Sequence, residues 1–450
     1  MNDEHIRLIL IFSIALSLRL FLFFNVGSWN DEIVEKRIVV DDAPGYHNIA
    51  VNLLGNNVFS RSKNPPYVPD IFRTPVYPFF LALIYFIFGI KPYAAIFFQL
   101  IIGSLNCVLA YKIGEIIFDK KTALLTGLIM AFEYSSILLC NQLLTGTLFI
   151  FLFIVHVYFL VRFLKQDNNW DLIYSGIFLG LSTLCRPVSV YFFLFIVGIF
   201  FLYFRKNLRT GILRYTILIL AFLITIIPWM ARNYTVSGKF LVSSVQEKVL
   251  GWNMPHLIKL KVVNQQKNEI HNPSPGLSKI RNGHQKMPTK KNIINAALSD
   301  IKMYLKGIIR FFMIPGSSGY PNILGLKDNR LDLNLIWAVG PWETVKIAVQ
   351  EKSVLGIVLM CFFLSFLTIL YFTMCFGIYT AIKETKFINV FLFIMIIVYF
   401  AIATGPSGFS PRYRAPIMPF IILLSCYGIV KLHIRFNEYK TKRMITMSKI

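Results

Sequence analysis

Acidic residues are scarce in this chain: Asp and Glu total 22 among 450 residues, against 46 Lys and Arg, for a net charge of +24. The excess suits anionic headgroups, lipid phosphates and the retention of basic loops in the cytoplasm, and not nucleic acid, because no basic, aromatic soluble domain accompanies it. Cysteine is sparse too. Cys107, Cys140, Cys185, Cys361, Cys375 and Cys426 lie in or beside apolar segments, so disulfides do not hold the two long polar loops. His47 near Asp42 is one His and one acid, far short of a metal-ligand set, and suits a hydrogen-bonding role. No DxD, Walker A, GxGxxG or HExxH motif occurs, which argues against a soluble nucleotide sugar, nucleotide hydrolysis or a zinc hydrolase. No cofactor is expected, and a metal stays open.

Apolar residues are what the chain has in abundance: 56% of the total, 42 of them Phe, with a mean hydropathy of +0.61. The composition predicts an all-α polytopic membrane protein with about ten to twelve transmembrane helices. Candidate segments are 6–26, 76–89, 92–118, 122–140, 142–164, 171–185, 187–204, 213–231, 354–380, 387–404 and 413–433. The first has no small-residue cleavage site and reads as an uncleaved signal anchor; Arg19 inside it reads as snorkelling to the outer interface or as a ligand contact. Three parts follow: an N-terminal transmembrane catalytic module (1–231) with an extracytoplasmic loop at 27–75, a large extracytoplasmic loop (232–353), and C-terminal helices with a basic cytoplasmic tail (354–450).

The basic stretches 205–214 and 431–443 belong in the cytoplasm, which places 232–353 and 405–412 outside. With the N-terminus also inside, the crossings must be even in number, so one segment before residue 232 is not a full span. The short candidates are 122–140, which carries Glu133, and the pair 171–185 and 187–204, divided by Arg186-Pro187. In the large loop, 252–291 is polar and poor in apolar residues. Beyond it Ala297, Leu298, Ile301, Leu305, Ile308 and Phe312 form one face of a helix with Lys302, Lys306 and Arg310 opposite, which suits a membrane surface, a roof over the spans, or packing within the loop.

Chemistry is expected in residues 41–89, a polar loop that runs into an apolar helix. Asp41 and Asp42 follow the first apolar segment, and Asp42, Tyr46 and Ala50 share one helical face. Arg73 precedes Pro75 and Pro78, which fit a first helical turn and fix the Arg where the chain re-enters the bilayer. Further guanidiniums stand in CRPV (Arg186), PWMARNY (Arg232) and SPRYRAPIMP (Arg412 and Arg414). Arg suits bidentate recognition of phosphate; the plainer reading of each is interfacial anchoring of a helix end.

The order of DAPGYHNIA, RTPVYPFFLALIYFIFG, CRPVSV, IIPWMARNYTVSGKF and RYRAPIMP resembles the membrane glycosyltransferases of the C-type fold, in particular the protein O-mannosyltransferase and lipid A aminoarabinose transferase superfamily. The resemblance covers most of the chain except 252–291. It implies an integral enzyme, placed in the bacterial inner membrane, that transfers a sugar with inversion from a polyprenyl-phosphate donor to a lipid, protein or glycan acceptor on the outer face. It also implies that Asp42 is the catalytic acid, with Asp41 second. The chain departs from the pattern at Gly146 in LLTGTLF, where many relatives carry an acid. Tyr46, Arg73, Arg186, Arg232, Arg412 and Arg414 are the expected substrate contacts. A carboxylate can take the proton of an acceptor hydroxyl while Arg side chains stabilise the departing phosphate. The competing class is a lipid or sugar transporter, which would also place Arg19, Glu133 and His156 inside the membrane.

Overall fold

The computed structural model of the chain describes residues 3–34, 42–245, 290–313, 354–384, 387–404 and 411–447. The chain is an all-α polytopic membrane protein, with no strand among the described residues. Among the described residues, six helices are each long and apolar enough to cross a bilayer: α1 (Asp3–Val26), α4 (Pro92–Ile117), α7 (Gly146–Gln166), α10 (Leu208–Ser237), α12 (Val354–Lys383) and α14 (Met418–Met447). A seventh candidate is the pair α5 (Lys120–Phe132) and α6 (Tyr134–Cys140), bent by 54° at Glu133. The buried Glu133 carboxylate accepts the backbone N–H of Ser135 and of Ser136 at 3.1 and 2.6 Å. It caps α6 and satisfies donors that the break would leave bare in hydrocarbon. Between these lie α2 (Ala43–Asn56), α3 (Val76–Phe88), α8 (Asn169–Cys185), α9 (Phe192–Tyr203), α11 (Lys290–Met313) and α13 (Phe387–Thr404).

The segment that does not cross is α3. Arg19 of α1 reaches Cys107 of α4, while Glu4 is paired with Lys112. The contacts run in opposite senses, so the two helices are antiparallel and α4 begins at the end where α1 finishes. Tyr77 at the start of α3 donates to Gln99, two turns into α4, at 2.8 Å, and three residues join the end of α3 to α4. Its two ends thus lie at one end of α4; its 13 residues do not decide the matter, since α9 is no longer by itself and only together with the 3₁₀ turn before it covers Pro187–Tyr203. α1, α4, α5–α6, α7, α8, α9 and α10 then alternate in direction before residue 232, and α12, α13 and α14 after it. Both ends of the described chain fall on one face, as the basic segments require.

Ion pairs sort by face. Glu4–Lys112, Arg162–Asp171, Arg214–Asp167 and Lys431–Glu384 stitch helix ends on the N-terminal side; Asp42–Arg73, Asp42–Arg412 and Arg61–Asp70 lie at the opposite end. Helices α12 and α14 cross so closely that a Cβ on Gly377 or Gly428 would come within 2.1 or 2.0 Å of the facing backbone carbonyls of Leu424 and Thr373. Small residues allow this approach, and Thr373 and Ser425 share a hydrogen bond of 2.6 Å beside it.

One further expectation needs correction, and one open choice is narrowed. Arg19 does not snorkel: it is fully buried and donates to the carbonyls of Ala15 and Ala131 at 2.9 and 3.5 Å. Helix α11 turns Asp300 and Phe311 inward and leaves Leu298, Ile301 and Leu305 more than half exposed. Its apolar stripe therefore faces away from the protein, because lipid is as apolar a medium as a protein interior. Residues 252–289 lie outside the described residues.

Candidate active site

Asp42 stands at the N-cap of α2, and Ala43, Tyr46 and Ala50 turn inward from that helix. Its carboxylate makes no capping bond and is free to face Arg73 instead. Arg73 donates through Nη2 to Asp42 Oδ1 at 2.8 Å and through Nη1 to Tyr46 Oη at 3.1 Å. The same guanidinium lies over the Tyr46 ring, 4.5 Å from its centroid. Asp42 and Arg73, 31 positions apart, thus close the helix and loop between them with one charge-assisted hydrogen bond.

The second oxygen of Asp42 is met from the far end of the chain. Arg412 Nη2 lies 3.5 Å from Asp42 Oδ2. Arg412 sits in the 3₁₀ turn Pro411–Tyr413, and its guanidinium lies 5.2 Å from the Tyr413 ring centroid. Arg186, at the junction of α8 with the 3₁₀ turn Pro187–Ser189, lies 5.3 Å from the same ring centroid. One tyrosine therefore serves two guanidiniums that would otherwise repel.

Partial burial pushes the Asp42 carboxyl up, but the hydrogen bond from Arg73 and the charges of Arg73, Arg412 and Arg186 outweigh it and hold the group below the usual carboxylate range. Asp42 is ionised at neutral pH, with its side chain 42% exposed. Three Arg around one Asp leave a local surplus of positive charge.

Two expected contacts lie elsewhere. Arg232 donates to the Asp70 carbonyl at 2.6 Å and to Asn233 Oδ1 at 3.0 Å, and it packs on Trp229 and Phe59. It braces the loop behind Arg73. Arg414 is buried, and its Nη1 donates to the carbonyls of Phe311 and Phe312 at 3.1 and 2.9 Å, capping the C-terminal end of α11. Asp41 lies outside the described residues. His47 bonds to Tyr85 Oη at 3.0 Å. At Gly146 a Cβ would come within 2.6 Å of Leu139 Cδ2, so a side chain there requires Leu139 to move. Glu133 is occupied in capping, and His156 bonds to Ser175.

Asp70 was not singled out in the sequence. Its carboxylate accepts the Arg73 backbone N–H at 2.8 Å and Arg61 Nε at 2.8 Å, and its side chain is 4% exposed. The spacing of Asp70 to Arg73, an acid three residues before a backbone donor in a Pro-bounded turn, was the available signal.

The alternating bundle and the one-ended Arg and Asp cluster define a polytopic membrane protein with the fold of the C-type glycosyltransferases. Residues 72–231 match the family described as dolichyl-phosphate-mannose-protein mannosyltransferase. Among solved structures, the apo oligosaccharyltransferase of Archaeoglobus fulgidus is similar, with a TM-score of 0.56 at 14% identity over 98% of this chain and 52% of that one. The oligosaccharyltransferase AglB of the same organism, in complex with an inhibitory peptide and a dolichol-phosphate, gives a TM-score of 0.53, also at 14% identity over 98% and 52%. ArnT from Cupriavidus metallidurans bound to undecaprenyl phosphate gives 0.45 at 13% identity, over 94% of this chain and 77% of that one. The fold assignment rests on the first two, and the chain spans about half the length of those proteins. No curated protein matches the sequence.

Proposed function

We propose that this protein transfers a sugar from a polyprenyl-phosphate donor to an acceptor on the extracytoplasmic face of a bacterial inner membrane, with inversion at the sugar. The carrying observation is the Asp42 carboxylate held by Arg73 and Arg412 at the face away from both termini. Asp42 takes the proton of an acceptor hydroxyl as its oxygen forms the bond to the anomeric carbon. The bond from that carbon to the phosphate oxygen breaks, and the electron pair leaves on the phosphate. Attack opposite the leaving group inverts the centre.

The donor is a phosphodiester and its leaving group a monoester, so negative charge grows on the phosphate during the reaction. Arg73, Arg186 and Arg412 supply fixed positive charge where it grows, which is where electrostatic preorganisation is most effective. Arg73 and Arg412 also occupy both Asp42 oxygens without substrate. A phosphate that draws them away weakens their hold on the carboxylate and makes Asp42 a stronger base, so donor binding precedes and assists proton transfer. Within this reading, 1–231 is the catalytic module, 232–353 the outer loop and 354–450 the closing helices. Arg232 and Arg414 act by positioning, and Asp41 remains the second candidate acid. Acceptors are lipids, proteins or glycans, with membrane lipids as neighbours and nucleic acid excluded.

The test is transfer from a radiolabelled polyprenyl-phosphoryl sugar by the purified chain in nanodiscs, combined with mass spectrometry of envelope lipids and glycoproteins from cells with and without the gene. Labelled acceptor together with released polyprenyl phosphate supports the reading. Movement of intact donor across vesicles without cleavage replaces it with transport.

A further inference from the structure

Arg73 must direct two guanidinium nitrogens, one to Asp42 and one to Tyr46, from a loop rather than from a helix. Loops hold such aim only when their backbone is fixed on several sides. Here the fixing converges on Asp70. Its backbone N–H donates to the Phe59 carbonyl at 2.8 Å, and its own carbonyl accepts Arg232 Nη1. One carboxylate oxygen holds the Arg73 backbone N–H and the other holds Arg61 Nε. The next residues are tied as well: Ser244 N–H donates to the Ile71 carbonyl at 3.1 Å, and Ser243 Oγ to the Phe72 carbonyl at 2.5 Å.

The charges form a line. Arg61, Asp70, Arg73 and Asp42 alternate in sign, and Arg61 and Arg73 flank Phe72 with guanidinium-to-centroid distances of 4.8 and 5.1 Å. An alternating line of this kind sets the direction of each member through its neighbours. Asp70 is almost fully buried, yet its carboxylate spends its capacity on a side chain and a backbone amide outside the reacting centre.

We infer that Asp70, with Arg61 as its counter-ion, is a positioning residue that fixes the backbone of Arg73 and through it the orientation and basicity of Asp42. This deepens the transferase reading and rests on it. In Asp70→Asn the acceptor shape survives but the charge is lost and the amide opposes Arg61. Arg73 then loosens from Asp42, whose remaining charged neighbours are Arg412 and Arg186.

The experiment measures transfer from a polyprenyl-phosphoryl sugar by the full chain in nanodiscs, per folded molecule, across a pH series. Asp70→Asn is expected to lower kcat by tenfold or more and to move the acid limb of kcat/KM upward, with a smaller change in donor KM. Asp70→Glu recovers the charge and part of the rate. Arg61→Ala, at a half-exposed site compatible with folding, moves the same limb by a smaller amount and decides the question if Asp70→Asn does not fold. A wild-type rate and acid limb in Asp70→Asn overturns the inference, as does an unmoved limb in Arg61→Ala. An inactive Asp42→Asn beside such a wild-type Asp70→Asn rejects the positioning role alone; a fully active Asp42→Asn rejects Asp42 as the base, and a wild-type chain that moves intact donor without cleaving it rejects the transferase reading itself.

Discussion

Replacing Asp42 by Asn separates catalysis from binding, because the proposed function gives the carboxylate one task and its neighbours the other. The substitution removes the proton acceptor and leaves Arg73, Arg186 and Arg412 in place. A positioned base contributes roughly 10²- to 10⁴-fold, which corresponds to about 3–5 kcal/mol of barrier. The Asp42 side chain is 42% exposed, so its ion pairs contribute about 0–1 kcal/mol to folding. Donor binding should hold or tighten, since two guanidiniums lose the carboxylate that competes with phosphate for them. The expected result is kcat reduced at least a hundredfold, donor Kd no weaker and unfolding temperature nearly unchanged. Measurements are labelled-sugar transfer, donor binding to immobilised nanodiscs and tryptophan-monitored melting. A variant that transfers at the wild-type rate refutes the reasoning. So does one whose donor affinity falls in step with its rate, for then Asp42 contributes binding and not proton transfer.

Arg73→Ala should abolish transfer and weaken donor binding, while Arg73→Lys retains the charge but loses the fork that holds Asp42 and Tyr46 together, giving an intermediate rate in the same assay. On stability, the Asp42 carboxyl is depressed in the folded chain, so its contribution is complete above the ordinary carboxylate range and disappears as pH falls through the lower folded value; melting of Asp42→Asn and wild type should converge in acid and separate by a small margin near neutrality. Gly428→Val places side-chain atoms against the Thr373 carbonyl and should destabilise the chain by about 1–3 kcal/mol or more, read as a lower melting temperature in detergent. Reporters fused after residue 210 and at the C-terminus should both report cytoplasm, and an external C-terminus would separate Arg412 from Asp42 across the bilayer.

Much of the bundle was legible because its breaks are chemical. The Pro after Arg186 ends α8 at Cys185, and Glu133, an acid in an apolar run, marks the bend that its own carboxylate caps. Parity of the basic segments also required one candidate to fall short of a span. The candidates offered were 122–140, for its Glu133, and the pair 171–185 and 187–204, for the Arg186-Pro187 break, whereas α3 is as apolar as a span and is set apart by the Tyr77–Gln99 tie. The outward stripe of α11 was one of the alternatives left open, since periodicity finds an apolar face but cannot say whether lipid or protein covers it. At the candidate site, the pairing of Asp42 with Arg73 follows a local helix and a Pro-bounded turn. For Arg414 and Arg232 the sequence left phosphate contact and anchoring of a helix end both open, because an Arg beside Pro or Trp looks alike whether it meets an anion or a carbonyl. Asp70 depends on Arg61 and Arg232, and the second of these is separated from it by 162 positions.

Helix α3 begins and ends on the same face as Asp42 and leaves Phe79, Leu83 and Phe86 more than half exposed. For a substrate with a polyprenyl tail this means that the tail can stay among lipid chains while the headgroup passes over α3 to the carboxylate. No hydrocarbon has to be drawn into water. Encounter then takes place in two dimensions, and the relevant donor concentration is its mole fraction in the leaflet. Diluting the membrane with inert lipid, at fixed total donor and protein, should therefore slow a subsaturated reaction in proportion, whereas adding buffer should leave it unchanged.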